Sequence, residues 1–234
     1  MPEKEAIKQM FDSIAQEYDA FNHISSLGID KCWRRRAIKK VISGTTSQRI
    51  LDLACGTGDF SIAIARRMSE GSRISAVDLS PGMLEVMSGK IGSLGFEGKV
   101  DMVVGEGEHL YFPENSFDVV TIAFGIRNFE DREMGLKEML RVLKPGGRVL
   151  ILELSVPENR ILRWGYNLYF KNILPLLGSR MSGNKAAFKY LPASVNAFPG
   201  KEKWMETMSG CGFSDVRHKS FTFGLCRMYT GTKI

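Results

Sequence analysis

From Arg49 to Ser155 the chain alternates between short apolar runs and amphipathic stretches, and this alternation constrains the fold more than any other feature. RILDLAC, RISAVDLS, KVDMVVGE, FDVVTIAFG and GRVLILELS read as strands; DFSIAIARRM, PGMLEVMSGKIG and DREMGLKEMLRVL read as helices between them. The strand runs are almost continuously apolar, as strands covered on both faces must be. Strands alternating with helices build a doubly wound α/β sheet. The period stops at Pro157, and the chain closes with DVRHKSFTFG and CRMYTGTK, two strands close enough to pair as a hairpin. The expected fold is α/β: a doubly wound, mostly parallel seven-stranded sheet with helices on both faces and an antiparallel C-terminal hairpin strand. At 234 residues it forms a single domain, 1–234.

Two segments fall outside the alternation. Near the N-terminus, Ile7, Met10, Phe11, Ile14, Tyr18 and Phe21 recur at helical spacing and predict one amphipathic helix, followed by the basic helical stretch DKCWRRRAIKKVI. Residues 1–45 are therefore expected as a helical lid. Residues 157–200, rich in aromatics, leucine and cations, are expected as a helical insertion.

Composition removes several classes. The four cysteines show neither CxxC spacing nor a histidine partner at zinc-site distance, so neither a disulfide framework nor a metal site is expected. MPEKEAIKQMF is charged from its third residue, unlike a secretory signal. No apolar run approaches the ~20 residues of a membrane span. A cytoplasmic protein is expected. The net charge of +6 leans mildly toward anionic partners, membrane surface or nucleic acid alike.

The turn after the first strand, Gly56-Thr57-Gly58-Asp59, is a nucleotide-binding turn. A dinucleotide fingerprint needs a third glycine where Ser61 stands, and a phosphate loop needs a lysine that is missing. Asp59 falls at a helix N-terminus, where a pyrophosphate would lie and a carboxylate would repel it. The same carboxylate suits the cationic amino-acid end of S-adenosylmethionine, which carries an ammonium, a sulfonium and no phosphate. Asp78 ends the second strand, where an acid accepts from both ribose hydroxyls. Glu106 and Gly107 follow the third strand; an acid there accepts from the adenine amino group, and Met83 is placed to pack on the base. Plain alternatives are a tight turn for the glycines, a helix-capping acid for Asp78 and ordinary core for Met83.

LDLACGTGD, VDLSPGML, FDVVTIAFGIRNFED and RVLKPGGRVLILELS resemble the class I S-adenosylmethionine methyltransferases. Together with YDAFNHISSLGIDKCW and KYLPASVNAFPG they are similar, over nearly the whole chain, to the menaquinone/ubiquinone biosynthesis C-methyltransferase family. Phe21, Asp30, Glu106-Gly107 and Tyr111 depart from that family's usual residues. The resemblance implies a Rossmann-like class I fold, S-adenosyl-L-methionine as cofactor, and methyl transfer to a ring carbon of a polyprenylated quinol. Demethylmenaquinol comes first, with a methoxy-polyprenyl-benzoquinol of ubiquinone synthesis beside it. Another small lipophilic acceptor is the rival. An RNA substrate is disfavoured, because no basic-aromatic stacking platform is evident.

Carbon attack on a quinol needs an ionised ring hydroxyl and a donor for the developing phenolate. Arg127 and Asn128 follow the fourth strand at its carboxyl end and are the candidate donor pair. Their local alternatives are an Arg127 ion pair with Glu130 or Asp131, and capping of the next helix by Asn128. Tyr18 is the candidate lid residue whose hydroxyl meets the quinol, with Asn22 one turn on. Asp59, Glu108, His109 and Tyr18 are open as the base, while His23 and His218 read as structural. A tailed substrate also gives Ile161, Leu162, Trp164, Tyr166, Leu168, Tyr169 and Phe170, interspersed with cations, an expected role in transient membrane-surface contact. The basic helix is a second place for that contact.

Overall fold

The computed structural model describes residues 4–169, 172 and 185–234. Its strands are β1 (Arg49–Leu53), β2 (Arg73–Asp78), β3 (Val100–Val104), β4 (Phe117–Ala123), β5 (Leu143–Leu154), β6 (Ser214–Phe221) and β7 (Cys226–Thr232). They form one seven-stranded sheet in the order β3-β2-β1-β4-β5-β7-β6. Pairing is parallel from β3 through β5 and antiparallel from β5 to β7 and from β7 to β6. The helices are α1 (Lys4–Ile14), α2 (Tyr18–Ser25), α3 (Asp30–Val41), α4 (Asp59–Ala65), α5 (Pro81–Leu94), α6 (Arg132–Val142), α7 (Arg160–Leu168), α8 (Lys185–Asn196) and α9 (Lys201–Gly210). The doubly wound sheet with its closing hairpin is as expected.

Successive strand residues point to opposite faces, so the apolar runs feed two cores. Ile50, Val119, Leu150 and Leu152 pack with α3, α4 and α5. Leu51, Leu53, Val120, Ile122, Val149 and Ile151 pack with α6 and α9. Ser80 caps α5 by accepting from the Met83 amide, with Pro81 opening the helix.

The N-terminal region departs from the single helix expected. After Ile14 the chain turns, and a new helix starts at Tyr18. Each half has its own anchor. Asp12 of α1 accepts from the Ser80 hydroxyl and the Gly82 amide, at the start of α5. Asp19 of α2 accepts from the Thr57 hydroxyl and pairs with Lys90. No straight helix satisfies both. The Phe21 side chain, and Phe170, lie outside the described residues. The basic helix α3 is a core helix: Trp33, Ala37, Ile38 and Val41 are buried, whereas Lys31, Arg35, Arg36, Lys39 and Lys40 face solvent.

The sheet order places the site. From β1 the chain proceeds outward to β2 and β3, then returns past β1 to β4 and β5. The order reverses between β1 and β4, and open α/β sheets bind ligands outside the carboxyl ends of strands at such a point. Ala54 to Gly58 leave β1 there, and Phe124 to Asn128 leave β4.

Candidate active site at the strand switch point

The glycine turn is shaped by its own backbone. Gly58 holds φ +84° as it enters α4, and a Cβ there would lie 2.5 Å from Met87 Cγ. The Gly56 amide donates to Asp78 Oδ2 at 2.7 Å, and the Ser80 amide donates to Asp78 Oδ1 at 2.9 Å. Asp78 thus ties β2 to the β1 turn, and each oxygen keeps a lone pair for a ligand hydroxyl. Burial pushes the Asp78 carboxyl up against the pull of those amides, with Asp12 nearby adding to the rise.

A cavity of about 90 Å³ opens over this turn, lined by Gly56, Asp78, Met83, Glu106, Gly107, Tyr18 and Asn128 among others. α1 lies across it through Lys4, Ile7 and Phe11. Its charged lining is four carboxylates, Asp78, Glu106, Glu108 and Glu130, against one lysine, Lys4. Such a wall repels phosphates and suits a cation. Glu106 is ion-paired with Lys4, and Glu108 accepts from the Asp131 amide. Burial raises the Glu108 carboxyl. Gly107 is required by a close approach: a Cβ would meet Phe129 Cζ at 2.4 Å, and a Cβ on Gly135 would meet Cδ2 of the same ring at 2.5 Å. Gly107→Ala should therefore cost about 1–3 kcal/mol by overpacking. A thermal melt should read this as a drop of roughly 3–10 °C.

A smaller cavity beside the turn is lined by Gly56, Thr57, Asp59, Arg34 and Asp52. Asp59 accepts from Arg34 Nη1 at 3.1 Å and from Lys90 Nζ at 2.9 Å, with His23 Nε2 at 3.7 Å. Burial alone would raise the Asp59 carboxyl, but Arg34 and Lys90 outweigh it and hold it below the ordinary carboxylate range. Arg34 also pairs with Asp30, whose carboxylate accepts from His23 Nδ1, 3.1 Å away, in the tautomer that carries its proton there. His23, Asp30 and Asp59 stand within metal-ligand reach of one another. The Arg34 guanidinium already supplies the cation they surround.

Asp52 was not singled out in the sequence. It is buried on β1 and accepts from Thr121 Oγ1 at 2.7 Å and from Ser61 Oγ at 2.5 Å. Burial pushes its carboxyl up to about 6 from 3.8. An acid raised in the folded state binds its proton more tightly there than in the unfolded chain, so stability falls as pH rises through that window. The shift corresponds to ~3 kcal/mol. Asp52→Asn should remove the slope between about pH 4 and 6 in denaturant titrations, and an unchanged slope would show that another group carries it.

The third cavity is much larger, about 510 Å³, and mainly apolar. α2, α3, α7 and α8 wall it, with Arg127 and Tyr18 among its lining. Arg127 is buried. Its Nη1 donates to Glu153 Oε1 at 2.8 Å and to the Phe124 carbonyl, and its Nε donates to Ser194 Oγ at 3.3 Å. Nη2 has no hydrogen-bond partner among the described residues. The local alternative, an ion pair with Glu130 or Asp131, is not formed; Arg127 pairs instead with Glu153, fully buried on β5. Burial would lower the guanidinium, but Glu153 outweighs it and holds Arg127 above its ordinary value. Asp131, accepting from the Met134 amide, caps α6, so Asn128 does not. Asn128 Oδ1 accepts from the Tyr190 hydroxyl at 2.8 Å.

Tyr18 and Phe124 line all three cavities. Burial raises the Tyr18 phenol, which also bonds Asn22, so it stays protonated and able to donate. Among the four candidate bases Tyr18 alone borders the largest cavity; Asp59 borders the smallest, Glu108 the first, and His109 is exposed. Asp30, not expected in the site, also borders the largest.

Solved structures of low identity share this architecture. An S-adenosylmethionine-dependent methyltransferase of Thermotoga maritima, described as a possible histamine N-methyltransferase, superposes with a TM-score of 0.67 at 19% identity, over 97% of this chain and 99% of that one. The cyclase SpnF superposes at 0.73 and 15%, over 99% and 97%. A cyclase and a methyltransferase on one fold show that the architecture alone does not name the reaction. Sequence relatives are much nearer. The ubiquinone/menaquinone biosynthesis C-methyltransferase UbiE of Geotalea daltonii is 45% identical, over 98% of this chain and 97% of that protein. The demethylmenaquinone methyltransferase of Bacteroides fragilis is 42% identical, over 98% and 93%. The sequence model of the ubiE/COQ5 methyltransferase family matches residues 1–233. An acid-lined cavity over a glycine turn, joined to an apolar cavity that the buried Arg127 and Arg34 guanidiniums border, is thus carried by a chain that belongs to the ubiE/COQ5 methyltransferase family, the S-adenosylmethionine-dependent methyltransferases of quinone biosynthesis.

Proposed function

We propose that this enzyme methylates a ring carbon of a polyprenylated quinol, demethylmenaquinol before the benzoquinol of ubiquinone synthesis. The observation that carries the reading is the meeting of two unlike cavities at Tyr18 and Phe124. S-adenosylmethionine supplies an electrophilic methyl group already activated by its sulfonium. Gly56, Thr57, Gly58, Asp59, Asp78, Met83, Glu106 and Gly107 are the residues that would hold it. Asp78 receives the ribose hydroxyls, and Glu106 and Gly107 border the base. The apolar cavity takes the quinol and the start of its tail.

A quinol hydroxyl titrates near the phenol value, roughly 10. The free Nη2 of Arg127 lowers that barrier by stabilising the phenolate in a water-poor site, where charge pairing is strong. Tyr18 donates to the same oxygen. Asn128, fixed by Tyr190, orients the head group from the cofactor side. The ring hydroxyl gives up its proton to solvent, the ring carbon takes the methyl as the methyl–sulfur bond breaks and its electron pair stays on sulfur, and the ring hydrogen then leaves to solvent as a proton. Phe124, shared by the cavities, helps exclude water. Of the lid expected over 1–45, α1 and α2 lie against the cavities while α3 is core, and of the insertion expected over 157–200, α7 and α8 wall the apolar cavity that would shelter the tail. A tailed substrate lives in a bilayer, so this reading has the enzyme working transiently at a membrane surface, the inner face of the cytoplasmic membrane. Among the described residues no helix is long and apolar enough to cross one.

The test offers purified protein labelled S-adenosylmethionine with reduced demethylmenaquinone, a polyprenyl benzoquinol or bulk RNA. Label on a quinol ring carbon is expected, and its distribution between the two quinols names the pathway. Tight cofactor binding with no label on either quinol would overturn the substrate assignment in favour of another lipophilic acceptor.

A further inference from the structure

Large apolar side chains are exposed around the mouth of the biggest cavity, and they come from three separate parts of the chain. Leu27 (72% exposed) and Ile29 lie in the turn between α2 and α3; Ile161 (79%) and Trp164 (68%) lie on α7; Phe223 (81%) tips the β6–β7 connection. All five line that cavity while facing solvent, so they form its rim. On α7, Ile161, Trp164 and Leu168 fall on one side at helical spacing and are exposed, whereas Tyr166 is buried against Leu191 and Val195. This helix thus has a second apolar face that is exposed among the described residues. Leu27 and Phe223 sit at φ +52° and +55°, a conformation that side chains rarely adopt.

We infer that this three-part rim is a bilayer-docking face, seated on the interface of an anionic membrane so that the cavity mouth opens into lipid. The charges beside the rim favour that occupant. Lys31, Arg160 and Arg163, next to Ile29, Ile161 and Trp164 along the chain, are exposed. The exposed acid Glu158, two residues before α7, is paired with Lys201 and Arg227. Aromatic and aliphatic tips ringed by cations match the headgroup boundary. A second copy of the chain seated there would bring cations against cations and close the mouth. The inference deepens the quinol reading, since a tail entering from the bilayer never has to cross water, but membrane binding itself needs neither cofactor nor quinol.

The test is therefore made first with the full chain and vesicles alone, of phosphatidylcholine with or without phosphatidylglycerol, carrying brominated acyl chains. Trp164 is exposed, whereas Trp33 and Trp204 are buried, so quenching by bromine reports Trp164. Quenching is expected on anionic vesicles at low salt and lost in Trp164→Phe. Phe223→Asp with Leu27→Asp should weaken vesicle binding by at least about tenfold, since an inserted phenyl ring alone accounts for that. Binding unaltered in that double variant, or no quenching on any vesicle, overturns the docking face. A concentration-dependent dimer that the double variant dissolves would assign the rim to a second copy instead. Vesicle binding that persists when neither quinol accepts label would leave the docking face standing while the substrate reading falls.

Discussion

Arg127→Ala is expected to lower kcat for methyl transfer by about 10²–10³, the usual cost of removing one donor to a developing oxyanion. Cofactor affinity should be unchanged, because Arg127 does not line the acid-rich cavity. The same substitution has a second consequence. Glu153 is fully buried and takes its cation from Arg127. Breaking a buried ion pair from one side costs roughly 3–5 kcal/mol, because the remaining charge is left uncompensated. A lost rate could then be blamed on a lost fold. Arg127→Leu combined with Glu153→Leu separates the two, since a matched apolar pair removes the stranded charge and should regain most of the stability in chemical denaturation. Methyl transfer should stay lost. Activity restored along with stability would mean that Arg127 serves the fold and not the phenolate. Arg127→Lys should not rescue, because one ammonium cannot bond Glu153, Ser194 and the Phe124 carbonyl and still offer a free N–H to the ring oxygen.

That ion pair also marks where sequence reading stops. Strands, helices and the switch point are local or periodic properties, and they were legible in apolar runs, in Ser80-Pro81 and in the glycine turn. The partner of Arg127 is a neighbour across the sheet, and β5 reads as plain apolar strand around Glu153. Local acids at Glu130 and Asp131 were the nearest choices along the chain, yet a shared strand register outranks chain proximity. Arg34 makes the same point in reverse. Within WRRR it looks like part of a solvated basic face, but it falls on the buried side of α3 and neutralises Asp30 and Asp59. The spacing of Trp33, Ala37 and Ile38 held the signal that Arg34 shares their face. The break between α1 and α2 had none: there is no glycine or proline in it, and two distant anchors impose it. The exposed rim residues Leu27 and Phe223 look like ordinary loop residues until the fold brings them to one cavity mouth.

Asp78→Ala should do the opposite of Arg127→Ala and abolish cofactor binding before chemistry can begin. Two hydroxyl donors to a carboxylate contribute about 1.5–3 kcal/mol each, so affinity should fall by about 10²–10⁴ in calorimetric titration. Its loss also frees the Gly56 amide, whose hydrogen bond to Asp78 holds the β1 turn in place. The effect should carry a pH signature. Burial raises the Asp78 carboxyl in the folded protein, so the acceptor begins to be lost at a higher pH than for an ordinary aspartate. Cofactor affinity should decline on acidification, beginning above the ordinary carboxylate range. Asp78→Asn, which keeps an acceptor oxygen but does not titrate, should bind more weakly at neutral pH and show a flatter profile. If Asn and wild type decline in parallel, another acid in the four-carboxylate cavity controls binding, and Glu108, also raised by burial, is the next to replace. If Asp78→Ala binds as wild type does, the ribose does not meet β2. The cofactor assignment of Glu106 and Gly107 at the next strand end would then fail with it, because both were placed by the same register of carboxyl-terminal strand ends.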